Sequence, residues 1–156
     1  MQRLEIIQKD DRLALAWLEA FKQYASVPDD SRDALLTRLL SAAILRVQEY
    51  ADRALIECRV RQTSTTDEKG CIWLFLGGGK DLSATYDYGG EEAACVQNTA
   101  DFVTGFERDT VVTVEFTTEP LAAWCDQARP TVFRYATALY DGEPVEVLNS
   151  ILNEVL

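Results

Sequence analysis

The stripe Leu36, Leu40, Ala43, Val47, Tyr50 and Ala54 is the feature that most constrains this chain. Its spacings of 4, 3, 4, 3 and 4 fit one face of an α-helix and exclude a strand, whose side chains alternate with period two. Leu39 and Ile44 widen the stripe, while Arg32, Arg38, Arg46, Gln48, Glu49 and Asp52 lie off it. The pattern predicts a helix of roughly 20 residues, about 30 Å long, built to pack along another helix. A heptad run this short is a core face rather than a coiled coil. Asp29, Asp30 and Ser31 stand before it as N-cap candidates.

A second stripe, Leu13, Trp17, Ala20, Phe21 and Tyr24, predicts a helix beginning near Asp10-Asp11 and ending before Pro28. From Ala54 onward the period changes. Cys58 to Thr66 is rich in β-branched and polar residues, and Thr66-Asp67-Glu68-Lys69-Gly70 reads as a turn. Cys71-Ile72-Trp73-Leu74-Phe75-Leu76 is an apolar run of strand length, with Trp73 and Phe75 read as core residues. Leu82, Ala84, Tyr86 and Tyr88 alternate with polar neighbours, and Val111–Phe116 is a strand by composition. Glu91–Asp109 is ambiguous, with Ala93–Phe102 a short helix or a loop. Helical spacing returns in Trp124, Ala128, Val132, Tyr135, Ala136 and Leu139; Pro130 either starts that helix or kinks a longer one. Gly142 is its expected C-terminal stop, and Val145, Leu148, Ile151, Leu152 and Val155 outline a last amphipathic helix. The expected fold class is α+β, a helical core of about four helices with an inserted small antiparallel β lobe over approximately 55–118.

The usual catalytic chemistry is missing. There is no His, which removes the commonest general base and metal ligand. Cys58, Cys71, Cys95 and Cys125 form no CxxC pair and read as buried free thiols of a reducing cytosol. Gly77-Gly78-Gly79-Lys80 imitates a phosphate loop, but Asp81 follows the lysine and Leu74 stands where the first glycine is needed; a turn is the better reading. No calcium-loop pattern occurs, and adjacent Glu91-Glu92 read as a solvated acidic tip. No enzyme activity, cofactor or metal is expected. The N-terminus lacks a signal-peptide pattern and no apolar run approaches a membrane span, so the chain is expected to be soluble, made in the cytoplasm and not bound to membrane.

Charge is unevenly spread along the sequence. The chain carries 15 basic and 26 acidic residues, a net charge of −11. Residues 1–62 hold ten of each, so residues 63–156 hold the whole excess. Two surfaces with different jobs, or a β lobe that drifted acidic for solubility, explain this equally well. Either way, such a surface does not cling to phosphate backbones.

Asp29–Ala43, continuing into Val47–Ile56, resembles the N-terminal part of the head–tail connector (adaptor, head-completion) proteins of tailed bacteriophages. Those carry an acidic turn, a helix patterned D-x-L-L-x-x-L-I-x-A-A, and an aromatic residue before [TA]-x-R-A-L. Pro130, Phe133, Ala136 and Tyr140 resemble the family's C-terminal helix. The chain departs at Ala51-Asp52, where a Thr-Gly step is common, and in its long acidic insertion, whose role the resemblance does not supply. The resemblance implies a single connector-like domain over 1–156 and a homo-oligomeric ring, commonly of twelve copies, in the virion neck. Such a ring joins the portal protein to a tail or stopper protein, with DNA passing through its lumen untethered. On that reading Tyr86, Tyr88, Leu148, Ile151, Leu152 and Val155 are interface candidates, though at least one tyrosine is expected in the core. Asp81, Asp87, Glu91 and Glu92 are candidates for a channel wall or solvent surface. The competing readings are an acidic DNA mimic or another protein-interaction module.

Overall fold

The computed structural model describes residues 2–154, and the fold is α+β. The chain forms two compact units, one from Asp10–Leu55 with Pro120–Leu156, the other from Met1–Lys9 with Ile56–Glu119.

The first unit is helical, with α1 (Arg12–Tyr24), α2 (Asp33–Ala51), α3 (Ala122–Tyr140) and α4 (Val145–Asn153). The expected stripe of α2 is buried at Leu36, Leu40, Ala43 and Val47, and faces α1 and α3. Phe133 of α3 is the aromatic hub. Its ring centroid lies 5.9 Å from Trp17, 5.5 Å from Phe21 and 5.7 Å from Tyr24. Pro130 sits inside α3, which neither starts nor ends there; the longer of the two alternatives is the observed one. It lies on the exposed side, where the carbonyl it cannot bond is open to water.

Three helices stop by one device. Ser26, the second residue after α1, Asp52, the first after α2, and Gly142, the second after α3, have positive φ (57°, 51° and 69°). In each case the next N–H bonds back five residues, to Lys22, Gln48 and Ala138. Asp52 thus holds a left-handed conformation that glycine adopts most readily. None of the three expected caps closes α2: its cap is Arg32, Asp29 accepts from Ser31 in a local turn, and Asp30 pairs with Lys22.

The second unit carries a four-stranded antiparallel sheet in the order β1 (Gln2–Gln8), β2 (Arg59–Thr65), β7 (Val111–Thr118), β4 (Gly79–Tyr86). A three-stranded sheet is ordered β3 (Ile72–Trp73), β6 (Phe102–Thr104), β5 (Val96–Gln97). Val60, Gln62 and Ser64 on β2, with Val112, Val114 and Phe116 on β7, turn one face of the larger sheet into the core.

Three expectations are corrected here. The apolar run at 71–76 is a strand only over Ile72–Trp73. Buried Gln62 explains the break: its carboxamide accepts the Phe75 N–H and donates to the Trp73 carbonyl, both at 2.8 Å, so these two backbone groups bond to a side chain rather than to a strand of the large sheet. Ile72, Leu74 and Leu76 go into the core, and Trp73 is 64% exposed, its ring tilted 39° against Phe102 at 4.6 Å. The ambiguous stretch before Asp109 holds two short strands, β5 and β6, and no helix. Finally, β1 is an edge strand that the sequence reading passes over; Leu4 and Ile6 share the core-side face with Gln62 and Val60, while Arg3 and Glu5 point the other way.

Candidate functional site

Among the described residues, one group of carboxylates is close enough to suggest a metal: Glu19, Asp30 and Asp33. A cation is already there. The Lys22 ammonium, on a side chain only 6% exposed, pairs with Asp30, with Asp33 at 2.9 Å and with Glu19 at 3.8 Å. These pairs raise the lysine's pKa above its ordinary value, the Asp30 contact most. The adjoining open groove, about 460 Å³ between Lys22 and Val27-Pro28, is the outer side of this ionic fastening of the α1–α2 turn. No disulfide joins the cysteines. Cys58 is buried, its sulfur 3.4 Å from the Thr118 hydroxyl; Cys71, Cys95 and Cys125 are half-buried, with thiol pKa values held above the ordinary one chiefly by burial.

The candidate residues of the β unit converge at one end of it. The loops after β2, β4 and β6 lie together, at the end of the large sheet away from Lys9, Ile56 and Glu119 where the chain crosses between units. They are tied to each other: Asp109 N donates to the Asp67 carbonyl, Asp87 N to Val111, and Tyr86 N to Glu91. Tyr86 and Tyr88 stack with centroids 5.3 Å apart. The Tyr88 hydroxyl donates to Glu107, which raises its pKa, and the Glu107 N–H donates to the Tyr86 hydroxyl. Tyr86 is half-buried and Tyr88 is 52% exposed. Seven carboxylates crowd this end, on Asp67, Glu68, Asp87, Glu91, Glu92, Glu107 and Asp109, against Lys69 and Arg108.

The remaining candidates fall elsewhere. Asp81 occupies a bulge of β4 at the opposite end, with φ of 53°, and its carbonyl accepts from Arg59. Ile151 and Leu152 are 6% and 1% exposed, buried within the chain's own fold, so they are not docking residues; Leu148 is half-buried. The apolar residues that α4 does expose are Val145 and Val147. Val155 lies outside the described residues.

Folding also redraws the charge map. The β unit has thirteen acidic and seven basic residues, net −6, and the helical unit thirteen and eight, net −5. The neutral and acidic halves of the sequence are therefore not the two units of the fold, and charge does not divide between them. The reason is topological: residues 1–9 and 120–156 each cross the boundary that a cut at residue 62 imposes.

No protein-family model and no curated protein matches this chain. A solved structure does. It is a chain of the neck of an empty gene transfer agent (GTA) particle, computed with C6 symmetry. The TM-score is 0.65 at 18% identity, covering 89% of this chain and 84% of that one. The two chains share a fold. Neither unit alone amounts to 89% of the chain, so the likeness to the GTA neck chain takes in elements of both. The β lobe, a departure from the connector pattern in the sequence, is thus part of the shared fold.

The sequence reading missed a further surface. On the solvent side of the large sheet, Thr63, Thr113 and Thr85 lie in one cross-strand row, and Arg61, Glu115 and Ser83 in the next. Arg61 bonds Glu115 at 2.8 Å and approaches Glu5 at 3.7 Å. Arg3 and Lys80 share this face through their registers with Thr63 and Thr117. The Arg-x-Arg and Thr-x-Thr alternation of β2, Arg59-Val60-Arg61-Gln62-Thr63-Ser64-Thr65, is the signal that marks it.

Proposed function

We propose that this chain is a structural, non-catalytic subunit of the neck of a phage-like particle, forming an adaptor ring that joins the portal to the tail while DNA passes through its lumen. One observation carries the reading: a fold shared with a GTA neck chain over most of both lengths, in a sequence that resembles phage head–tail connectors in its α2 and α3 segments. The chemistry agrees. The carboxylate cluster found among the described residues is already paired with a cation of the chain's own, Lys22, and no His is present to build the common catalytic constellations. Both units carry net negative charge, which lets a DNA duplex pass without the counterion-release attraction a basic wall exerts. The test is negative-stain imaging and native mass spectrometry of the full chain with portal rings of its own particle. A ring coaxial with the portal is expected; a monomer that ignores the portal overturns the reading. A gel-shift assay with duplex DNA at physiological salt is expected to show no retardation.

A further inference from the structure

We propose that the solvent face of the four-stranded sheet receives the acidic loop end of a neighbouring copy, so that copies of this chain join head to tail. The inference rests on the ring reading above and names the contact that builds the ring. The two surfaces are different parts of one unit, which is what a heterologous contact needs; repeated with a closing rotation, such a contact makes a ring.

The complementarity is in charge and in shape. Side chains on the sheet face include four basic residues, Arg3, Arg59, Arg61 and Lys80, and two acidic ones, Glu5 and Glu115, a net of +2 in a chain of net −11. The loop end carries seven acidic and two basic residues, a net of −5. On the face, short threonines form a low floor at Thr63, Thr113 and Thr85, held by a 3.2 Å contact between the first two hydroxyls, beside the longer arginines. Hydrogen bonds and ion pairs within the ladder hold Arg59 and Arg61 in place, so little side-chain freedom is left to lose on docking. The loop end offers the exposed, stacked Tyr88 among its carboxylates, and tyrosine faces and guanidinium groups attract one another. A DNA duplex is a poorer occupant, since Glu5 and Glu115 flank Arg61 on either side and repel phosphate.

Charge reversal of exposed residues tests this in the full chain. The face variant is R3E/K80E, which takes the face from +2 to −2 without touching the Arg61 ion pairs. The end variant is E68K/D87K/E91K/E92K, which takes the loop end from −5 to +3. Sedimentation velocity at low salt reads self-association, and circular dichroism confirms folding. Wild type is expected to associate at low salt and to weaken as salt rises. Either variant alone should associate about tenfold more weakly or worse, while the six-substitution combination, and an equimolar mixture of the two variants, should recover. A wild type monomeric at low salt, a face variant that associates normally, or a mixture that fails to recover overturns the proposal. So does loss of association in an R38E/R46E control on α2 with none in the face variant, or duplex binding by the wild type that the face variant loses. Portal binding, measured separately, reports on the neck reading whatever the sheet face does.

Discussion

Gln62→Leu tests the account of why the apolar run at 71–76 leaves the sheet. Gln62 is fully buried, and its carboxamide serves three groups at 2.8 Å: the Phe75 N–H, the Trp73 carbonyl and the Ser64 hydroxyl. Leucine fills the same space and offers none of these bonds. The hydroxyl can rotate to another partner, but the two backbone groups cannot. Each orphaned group costs about 1–3 kcal/mol, giving roughly 2–6 kcal/mol for the pair. The apolar side chain returns about 1–2 kcal/mol through burial. The net loss expected is about 3 kcal/mol, a large share of the ~5–15 kcal/mol that a typical domain has. At about 2–4 °C per kcal/mol, the melting temperature should fall by roughly 6–12 °C. Urea unfolding followed by circular dichroism gives the free energy, and hydrogen exchange at the Phe75 amide localises it. A loss below about 1 kcal/mol with that amide still protected would refute the argument. Gln62→Glu sharpens it: burial raises the carboxyl pKa above its unfolded value, so this variant should be least stable at neutral pH and gain stability as pH falls.

Three further outcomes follow from the helical unit and the loops. Phe133→Ala empties the hub shared by Trp17, Phe21 and Tyr24 and should cost about 3–5 kcal/mol, with a red shift of Trp17 emission; Phe133→Leu should cost less. Ser26→Gly relieves an exposed left-handed residue after α1 and should stabilise by about 0.5–1 kcal/mol in thermal melts, whereas Ser26→Val should destabilise. The Cys71 and Lys69 N–H groups, at 2.9 and 2.8 Å, hold the Asp67 carboxyl below its ordinary pKa. Its contribution to stability is therefore present above the ordinary carboxylate pKa and lost as pH falls through the lowered one; Asp67→Asn keeps the acceptor oxygen and should flatten that acid limb in a pH series of melts.

Period was legible in the sequence where one face of an element is buried against one neighbour. The α2 stripe held from Leu36 to Val47 because helix packing reads only residue type and spacing. What failed was whatever depended on a distant partner. Cys71–Leu76 has the composition of a strand, but its neighbour is Gln62, eleven residues upstream of Trp73, and polar side chains buried in a core carry no local signature. β1 is almost wholly exposed and so carries no clean apolar alternation, and it exists because β2 offers an edge to it. In α4, Ile151 and Leu152 looked like a docking stripe, because sequence shows that a face is apolar but not what covers it.

The charge pattern failed for a different reason, and the failure redirects the functional argument. A cut at residue 62 gave a neutral half and an acidic half; folding returns Met1–Lys9 to the β unit and Pro120–Leu156 to the helical one, and the units come out at −6 and −5. Two nearly equal negative units offer no division between a packing half and a channel half. The contrast lies instead within the β unit, where strand alternation puts Arg3, Arg59, Arg61 and Lys80 on one sheet face and loop composition puts seven carboxylates at one end. Those are the two surfaces a chain needs if it is to bind its own copy through different patches. Copies of a chain with net charge −11 repel one another at a distance, so association depends on bringing unlike patches together at close range. The acidic excess thus makes register in such a ring strict: only the approach that matches loop end to sheet face turns long-range repulsion into contact attraction.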